Sequence, residues 1–251
     1  METPAVARLF FRNDDVTDLT PRLQAFAGLF LDAGIPVHHG LIPGRATEAV
    51  VAWLTDLAKS RPGLIGIDLH GWDHDPYGGA PEFGPHVPRA VQHERLARGL
   101  DWMRSRFGAL FSGIFVPPHN CYNRTTVVTL DELGYAGLSG SVGRRSWLRR
   151  LVEPVAYAMG RGDLPGWNGR RFPGTAVVQC SVTIDPVLDY RAGTVMTVED
   201  VLARLDAQET QGICLHHWVG DESMLGWARA LLGAVRGRTL CRMTDIVSGL
   251  C

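Results

Sequence analysis

The chain alternates between short apolar runs, which predict buried strands, and longer segments whose apolar residues recur at helical spacing. The first such pair is an apolar run over residues 7–11 followed by residues 20–34, which start with a threonine N-cap and a proline and stop at a glycine. These signals predict a strand and then a helix. The same order recurs along most of the chain, which indicates a parallel sheet with helices outside it, either closed as a barrel or open.

The predicted strands cover residues 7–11, 35–42, 64–70, 113–116, 137–140, 176–184, 213–218 and 239–243. The predicted helices cover residues 20–34, 46–59, 89–107, 125–133, 197–208 and 225–235, with a short one from residue 244 onward. Residues 75–88 are rich in proline and glycine and predict an active-site loop, whereas residues 144–174 show little periodicity. No linker or repeat interrupts the alternation, so we expect one domain over residues 1–251.

The composition and net charge indicate which kinds of binding partner to expect. The 251 residues are 45% hydrophobic and 20% charged, with a formal net charge of −1, which favours neither nucleic acid nor an anionic membrane surface. The first residues carry no signal sequence, and no apolar run is long enough to span a bilayer. These features predict a cytoplasmic protein with no membrane partner.

The cysteines predict neither a disulfide framework nor a thiolate metal site. There are five of them, they are scattered, and none forms a Cys-x-x-Cys pair: Cys121, Cys180, Cys214, Cys241 and Cys251. We therefore expect all five to be reduced and to pack as small apolar side chains.

Polar side chains gather where the predicted strands end. His70 and His74 follow a strand and flank a turn at Gly71, so two imidazoles could converge on one metal ion. Asp14 and Asp15 follow the first strand, and one carboxylate could bind the ion while the other acts as a base. Further polar residues at strand ends are His119, Asp185, His216 and His217. In a parallel barrel, catalytic groups collect at these ends of the strands.

The remaining histidines carry weaker signals. His38 and His39 follow a strand, and we expect structural roles for them, although one could line the site. His86 and His93 are expected in a loop or at the surface.

Four short motifs resemble those of one family. Asp14-Asp15, His70-Gly-Trp-Asp-His74, Val116-Pro-Pro-His119 and Ile213-Cys-Leu-His216 follow the order and spacing of the polysaccharide deacetylase motifs (NodB-homology, carbohydrate esterases). The chain looks most similar to an uncharacterised branch with His-Gly-Trp-x-His and Phe-Val-Pro-Pro motifs, which Glu82-Phe-Gly84 also suits. The resemblance covers most of the chain, from about Phe10 to Thr244.

The resemblance implies a distorted (β/α)7 barrel that holds a divalent metal, with zinc as the expected ion. Carried over by position, Asp15, His70 and His74 would be the ligands. Asp14 would be the base, and His216 would protonate the leaving amine, with His217 as an alternative because the double histidine leaves the register open. The candidate substrate contacts are Arg12, Trp72, His119 and Trp218.

The implied reaction is removal of an N-acetyl group from an amino sugar or a sugar-containing small molecule. The expected partner is thus a small N-acetylated sugar or glycoconjugate, an intracellular metabolite rather than a cell-wall polymer. A hydrolase of another non-peptide carbon–nitrogen bond is the alternative. A barrel of a different metal family would need two ions or a lysine ligand, and the only lysine, Lys59, lies in a predicted helix.

The chain departs from the family pattern at three places. Val116 stands where the third motif usually has an arginine that orients the base, and Arg12 could take over that task. His119 replaces an aromatic residue and could contact substrate, bind metal or merely line the site. The fourth motif could be supplied by Asp185 or Trp167. The missing arginine also keeps open a non-catalytic carbohydrate-binding relative.

Overall fold

Strand β1 (Arg8–Val16) lies in the middle of a curled parallel sheet, with β2 on one side and β9 on the other. The computed structural model describes residues 8–141, 168–205 and 210–251. The other strands in those ranges are β2 (Val37–Leu41), β3 (Ile65–His70), β4 (Phe111–Val116), β5 (Gly137–Leu138), β6 (Val178–Gln179), β7 (Val187–Asp189), β8 (Thr194–Val195), β9 (Thr210–Leu215) and β10 (Thr239–Leu240).

The helices alternate with these strands. They are α1 (Pro21–Ala33), α2 (Glu48–Ser60), α3 (Arg89–Phe107), α4 (Arg124–Leu133), α5 (Val198–Ala203), α6 (Glu222–Val235) and α7 (Met243–Val247), with short 3-10 turns at Pro43–Arg45, Gly108–Leu110 and Pro118–Asn120. Within the part of the chain that the structure describes, no helix combines the length and apolar character needed to cross a bilayer.

The sheet follows the chain order from β1 to β6 with parallel pairing throughout. Beyond β6 the chain keeps contact with both neighbours, because Val182 bridges to Ser141 and Ile184 bridges to Ile213 of β9. Since β9 pairs with β1, seven of the eight described strands of this sheet curl around a common interior, and the eighth, β10, pairs in parallel with the beginning of β1. The predicted distorted (β/α)7 barrel is therefore confirmed.

Alternation along β1 decides what faces that interior. Leu9 and Phe11 point outward and pack with residues of α1 and α6, whereas Phe10 points inward to a smaller cluster with Ile114 and Cys214. Because side chains on a strand alternate with a period of two, Arg12 and Asp14 share the inward face with Phe10. A third apolar cluster lies between the sheet and α2, α3 and α4. The inward position of Phe10 therefore also places the Arg12 and Asp14 side chains inside the barrel.

The predicted elements differ from the structure mainly near strand ends. Helix α3 has the predicted bounds, but β1 continues through the two aspartates to Val16. The strand predicted over residues 176–184 is reduced to β6 and isolated bridges, and the hairpin β7–β8 was not predicted. Residues 142–167, which include most of the stretch of low periodicity, lie outside the described residues.

The prediction that all five cysteines are reduced is wrong for two of them. Cys241 and Cys251 form a disulfide, with Cα atoms 6.1 Å apart. Helix α7 returns the chain between them, so residues ten positions apart come within bonding range. Cys180 and Cys214 lie outside this disulfide and are buried, as expected.

Candidate metal centre and active site

The end of β1 has an irregular backbone that lets two successive carboxylates reach one site. Asp15 has a left-handed φ of 62°, and the β1–β2 register shifts between Asn13 and Val16. On a regular strand, Asp14 and Asp15 would point to opposite faces. Among the described residues, the non-glycine residues with positive φ are Asp15, His74, His119 and Asn120, and all four line the same cavity. Strained backbone of this kind is concentrated at functional sites.

Asp15, His70 and His74 converge on one point. Asp15 Oδ1 lies 3.2 Å from His70 Nε2 and 3.5 Å from His74 Nε2. The backbone carbonyl of Val116 can only accept, so at 3.1 Å it takes a hydrogen from His70 Nδ1 and leaves Nε2 facing Asp15. All three potential ligand atoms lie within 4.8 Å of one another. One carboxylate and two imidazoles form a mixed oxygen and nitrogen set that suits zinc and similar ions.

The electrostatics of this cluster favour a bound cation. Burial, together with the nearby His70, lowers the pKa of His74 to about 4, so its ring is neutral at pH 7. Burial opposes charge on Asp15, but His70, His216 and His74 hold the pKa of its carboxyl well below the usual range. Burial also opposes charge on His70, yet Asp14 and Asp15 raise its pKa. A divalent ion would compete with a proton for the His70 ring.

Glu82 holds the loop that carries His74. Its side chain is buried, and its two oxygens accept the backbone N–H groups of Trp72 at 2.7 Å and His74 at 3.0 Å. Gly71 makes this approach possible, because a Cβ there would stand 2.3 Å from Glu82 Oε2 and 2.4 Å from Pro118 Cγ. Burial raises the pKa of Glu82 to about 7.

Asp14 has hydrogen-bond partners at one carboxylate oxygen and none at the other. Its Oδ2 accepts from Arg12 Nη2 at 2.8 Å and from the Cys214 thiol at 3.4 Å. Its Oδ1 is buried without a hydrogen-bond partner. Burial alone would raise the pKa of Asp14, but the charges of Arg12 and His70 hold it below the usual value.

Arg12 is anchored at several points beyond Asp14. Its Nη1 donates to the backbone carbonyl of Ser139 and, at 2.9 Å, to the Ser139 hydroxyl. Its Nη2 also donates to Asn120 Oδ1 at 2.8 Å. The Arg12 side chain has no exposed surface, so it cannot contact a substrate directly. The prediction that Arg12 is a substrate contact is therefore wrong. Arg12 instead holds Asp14 Oδ2 by an ion pair in which both side chains are buried.

The double histidine after β9 divides in two directions. His216 lines the cavity with its Nε2 4.0 Å from Asp15 Oδ2. His217 turns away, donates its backbone N–H to Asn13 Oδ1 at 2.9 Å and is buried. Burial lowers the pKa of His217 to about 4. His216 therefore lines the cavity that holds both carboxylates, whereas the His217 ring lies against Asn13.

The cavity has a volume of about 480 Å³. It is lined by Asp14, Asp15, His70, His74, His119, Asn120, Asp185, Tyr190, His216 and Trp218. The indole N–H of Trp218 donates to Asp15 Oδ2 at 3.0 Å, and the residue is 44% exposed at the rim of the cavity. The His119 ring lies edge-on to His74, with centroids 4.5 Å apart.

Several other predicted residues lie elsewhere. Trp72 does not line the cavity, because its ring packs under the Arg98 guanidinium at 4.0 Å on α3. Trp167 lies outside the described residues. His38 is buried between Asp68 and the backbone N–H of Met243, a structural role as expected. The other histidines are the buried His39, which contacts Asn13, and the exposed His86 and His93.

Sequence reasoning missed four residues of the site. Cys214 lay within a quoted motif and Asn120 directly follows His119, so both could have been noticed from position alone. Glu82 was noted only as part of the resemblance, although it anchors the His74 loop. Tyr190 lies in the β7–β8 hairpin, where no periodic pattern predicts an element.

Comparison with known proteins gives a likeness in structure only. No family model and no curated protein matches the sequence. A protein from Mycobacterium smegmatis described as a polysaccharide deacetylase has a TM-score of 0.66 at 13% identity, covering 100% of this chain and 92% of that one. A family 4 acetyl xylan esterase from Clostridium thermocellum, solved with a cobalt ion, has a TM-score of 0.57 at 12% identity, covering 96% and 90%.

A third similar structure is a family 4 carbohydrate esterase pseudoenzyme from Bacillus anthracis, with a TM-score of 0.63 at 9% identity, covering 98% of this chain and 66% of that one. The chain therefore has the fold of the family 4 carbohydrate esterases and polysaccharide deacetylases. The resemblance inferred from the motifs is confirmed at the level of the fold.

Proposed function

We propose that this protein is a metal-dependent hydrolase that removes an N-acetyl group from an amino sugar or a sugar-containing small molecule. The observation that carries the proposal is the convergence of Asp15, His70 and His74 beside a second carboxylate, Asp14, whose Oδ1 is buried and has no partner. The fold supports it, since similar structures include a protein described as a polysaccharide deacetylase and a family 4 acetyl xylan esterase.

Asp15, His70 and His74 would hold one divalent ion, with zinc as the expected species. Three features of these residues fit such an ion: the neutral His74 ring, the His70 Nε2 that faces Asp15, and the ionised Asp15 carboxylate. A divalent ion bound there would polarise the acetyl carbonyl and make water more acidic. The arrangement leaves cavity volume beside the three side chains for both water and substrate.

Asp14 is the proposed general base. Arg12 holds its Oδ2, which leaves Oδ1 as the atom able to accept a proton from water. The charges of Arg12 and His70 keep the carboxyl ionised at neutral pH. Arg12 thereby performs the orienting task that the resemblance assigns to an arginine after β4. The proton moves from water to Asp14 as the water oxygen attacks the acetyl carbon.

His216 is the proposed general acid. When the carbon–nitrogen bond breaks, the leaving nitrogen needs a proton, and His216 faces the cavity with its Nε2 4.0 Å from Asp15 Oδ2. His217 is not proposed for this role, because it is buried against Asn13. One histidine of the pair thus serves the reaction and the other serves the fold.

The walls of the cavity support a sugar as the proposed class of substrate. Trp218 presents an exposed aromatic face next to Asp15, which suits the apolar face of a sugar ring. His119, Asp185 and Asn120 provide polar groups for sugar hydroxyls around the same cavity. We therefore favour an N-acetylated sugar or glycoconjugate over a purely aliphatic amide.

A non-catalytic relative is the second candidate, because a pseudoenzyme shares this fold. Acetate release from N-acetylglucosamine and N,N′-diacetylchitobiose by zinc- or cobalt-loaded protein separates the two. We expect release by the wild type, a loss of at least about 100-fold in Asp14→Asn with metal binding retained, and no change in the exposed helix control Asp56→Asn. Metal binding without acetate release from either compound would favour the non-catalytic reading, and release of another amine from a different amide would favour hydrolysis of another carbon–nitrogen bond.

A further inference from the structure

The β7–β8 hairpin brings an unpredicted tyrosine to the cavity wall. Tyr190 follows β7 directly, and its ring meets the His216 ring edge-on, with centroids 5.0 Å apart and planes at 88°. Tyr190 also lies beside Trp218, with 5.9 Å between their ring centroids, and the His216 and Trp218 rings are 5.8 Å apart, so the three rings form one cluster. The tyrosine is therefore in contact with the proposed acid and with the rim of the cavity.

The Tyr190 hydroxyl stands between a carboxylate and an imidazole. Asp185 Oδ2 lies 2.6 Å from Oη and can only accept, so it takes the single hydroxyl hydrogen. His216 Nδ1 lies 3.4 Å from the same oxygen and must then be the donor. Asp185 is itself fixed, because its Oδ1 accepts the backbone N–H of Val187 at 3.0 Å. Because Asp185 can only accept, it fixes the direction of both hydrogen bonds: His216 donates to Tyr190, and Tyr190 donates to Asp185.

The direction of these hydrogen bonds determines which nitrogen of the His216 ring carries a hydrogen toward Tyr190 and which one faces the cavity. If Nδ1 carries a hydrogen toward Tyr190, Nε2 is the nitrogen left to face Asp15 and the cavity. Burial and the Asp185 hydrogen bond raise the pKa of Tyr190, so its hydroxyl keeps its hydrogen at neutral pH.

We propose that Tyr190 is a positioning residue that couples Asp185 to His216 and holds His216 with Nδ1 protonated and Nε2 toward the cavity. The catalytic consequence rests on the proposed function: Nε2 becomes the atom that gives its proton to the leaving amine. After that transfer the ring is neutral, with its remaining hydrogen on Nδ1, where Tyr190 accepts it.

The tautomer is measured directly by NMR on the full chain with ¹⁵N-labelled histidine, where His216→Ala identifies the His216 signals. In the neutral ring of the wild type we expect the hydrogen on Nδ1. Tyr190→Phe keeps the aromatic ring but removes the hydroxyl, and we expect the hydrogen to move largely to Nε2. Leu188→Ala, an exposed change on the same hairpin, should leave the tautomer unchanged. A hydrogen on Nε2 in the wild type, or the same tautomer in wild type and Tyr190→Phe, overturns the proposal.

Acetate release adds a second test. Tyr190→Phe should lower kcat by about 10- to 100-fold with little change in KM, and should have no further effect in a His216→Ala background. A loss of activity in Tyr190→Phe without a change of tautomer would show that the tyrosine acts on the substrate, which also overturns the proposal. If the wild type releases no acetate, the proposed function fails, whereas the NMR result still decides the role of Tyr190.

Discussion

Arg12 and Asp14 lie two positions apart on the inward face of β1, and Arg12 Nη2 donates to Asp14 Oδ2 at 2.8 Å with both side chains buried. One strand thus supplies the proposed base and the cation that orients it. The resemblance led us to expect an arginine where Val116 stands at the end of β4, and Arg12 supplies a guanidinium to Asp14 from β1, which is separated from β4 by β2 and β3.

Replacing Arg12 should therefore cost both stability and activity. Arg12→Met leaves the buried Asp14 carboxylate without its cation, which we expect to lower the free energy of unfolding by about 3–5 kcal/mol. Urea denaturation measures this, with Arg89→Met as the control. Arg89 forms an exposed ion pair with Glu132, and its loss should cost less than about 1 kcal/mol. If both variants lose the same free energy of unfolding, Arg12 contributes no more to stability than an exposed ion pair does.

Glu82→Gln tests the loop that carries His74. The glutamine amide can accept only one of the two backbone N–H groups, so His74 should lose its fixed position. We expect Co²⁺ affinity, measured by calorimetry, to fall about 10- to 100-fold. Glu94→Gln, an exposed change on α3, is the control and should bind Co²⁺ like the wild type. Unchanged affinity in Glu82→Gln would mean that His74 is held by other contacts.

Gly71→Ala tests the close approach beneath the two histidines. Gly71 and Gly78 both have positive φ, so alanine at either should cost about 1–2 kcal/mol for the left-handed backbone. Only at Gly71 would the new Cβ meet Glu82 and Pro118, while the space around Gly78 is open. We expect Gly71→Ala to cost about 1–3 kcal/mol more than Gly78→Ala in urea denaturation. Equal costs would show that the loop yields without strain.

His39 should make stability depend on pH. Burial, with the charges of His217 and His38, lowers its pKa to about 3, whereas an unfolded histidine titrates near 6.5. Its folded pKa is depressed, so the unfolded state binds the extra proton between these values. Its contribution to stability is present above about pH 6.5 and is lost as pH falls toward 3, by about 1.4 kcal/mol per pH unit.

Urea denaturation at pH 7.5 and pH 5 measures that slope. His39→Gln should reduce the difference in unfolding free energy between the two pH values by about 2 kcal/mol, the slope of one group acting over the interval below 6.5. His93→Gln, at an exposed position, should leave the difference unchanged. If both variants keep the pH dependence of the wild type, His39 is protonated in the folded state.

The sequence predicted the parts of the fold that depend on local pattern. Helix α3 matches its predicted bounds because apolar spacing extends over its whole length, and α1 is bounded by the Thr20 cap and the Gly34 stop. The parallel sheet was predicted by strand–helix alternation, whereas its closure as a distorted barrel was implied by the resemblance. The short length of β6 was not predicted, because the residues after it form only single bridges to neighbouring strands, and no local sequence pattern reports this.

The site was predictable as a set of residues but not as a geometry. The strand ends pointed to Asp14, Asp15, His70, His74 and His216. The left-handed Asp15 that brings the first two together is a tertiary feature. The prediction that Trp72 contacts substrate was wrong because a side chain in a loop can turn in either direction. The Trp72 ring turns toward α3, where it packs against Arg98. The Cys241–Cys251 pair depends on how α7 folds back, which spacing does not reveal.

The most direct test of the central claim is an anomalous difference map at the zinc edge from crystals grown with Zn²⁺. We predict one peak with Asp15, His70 Nε2 and His74 Nε2 at about 2.0–2.2 Å, and Asp14 outside that shell against Arg12. A peak on Asp14, Cys214 and His216, the other group of described residues able to hold an ion, would contradict the account, as would the lack of any peak beside Asp15.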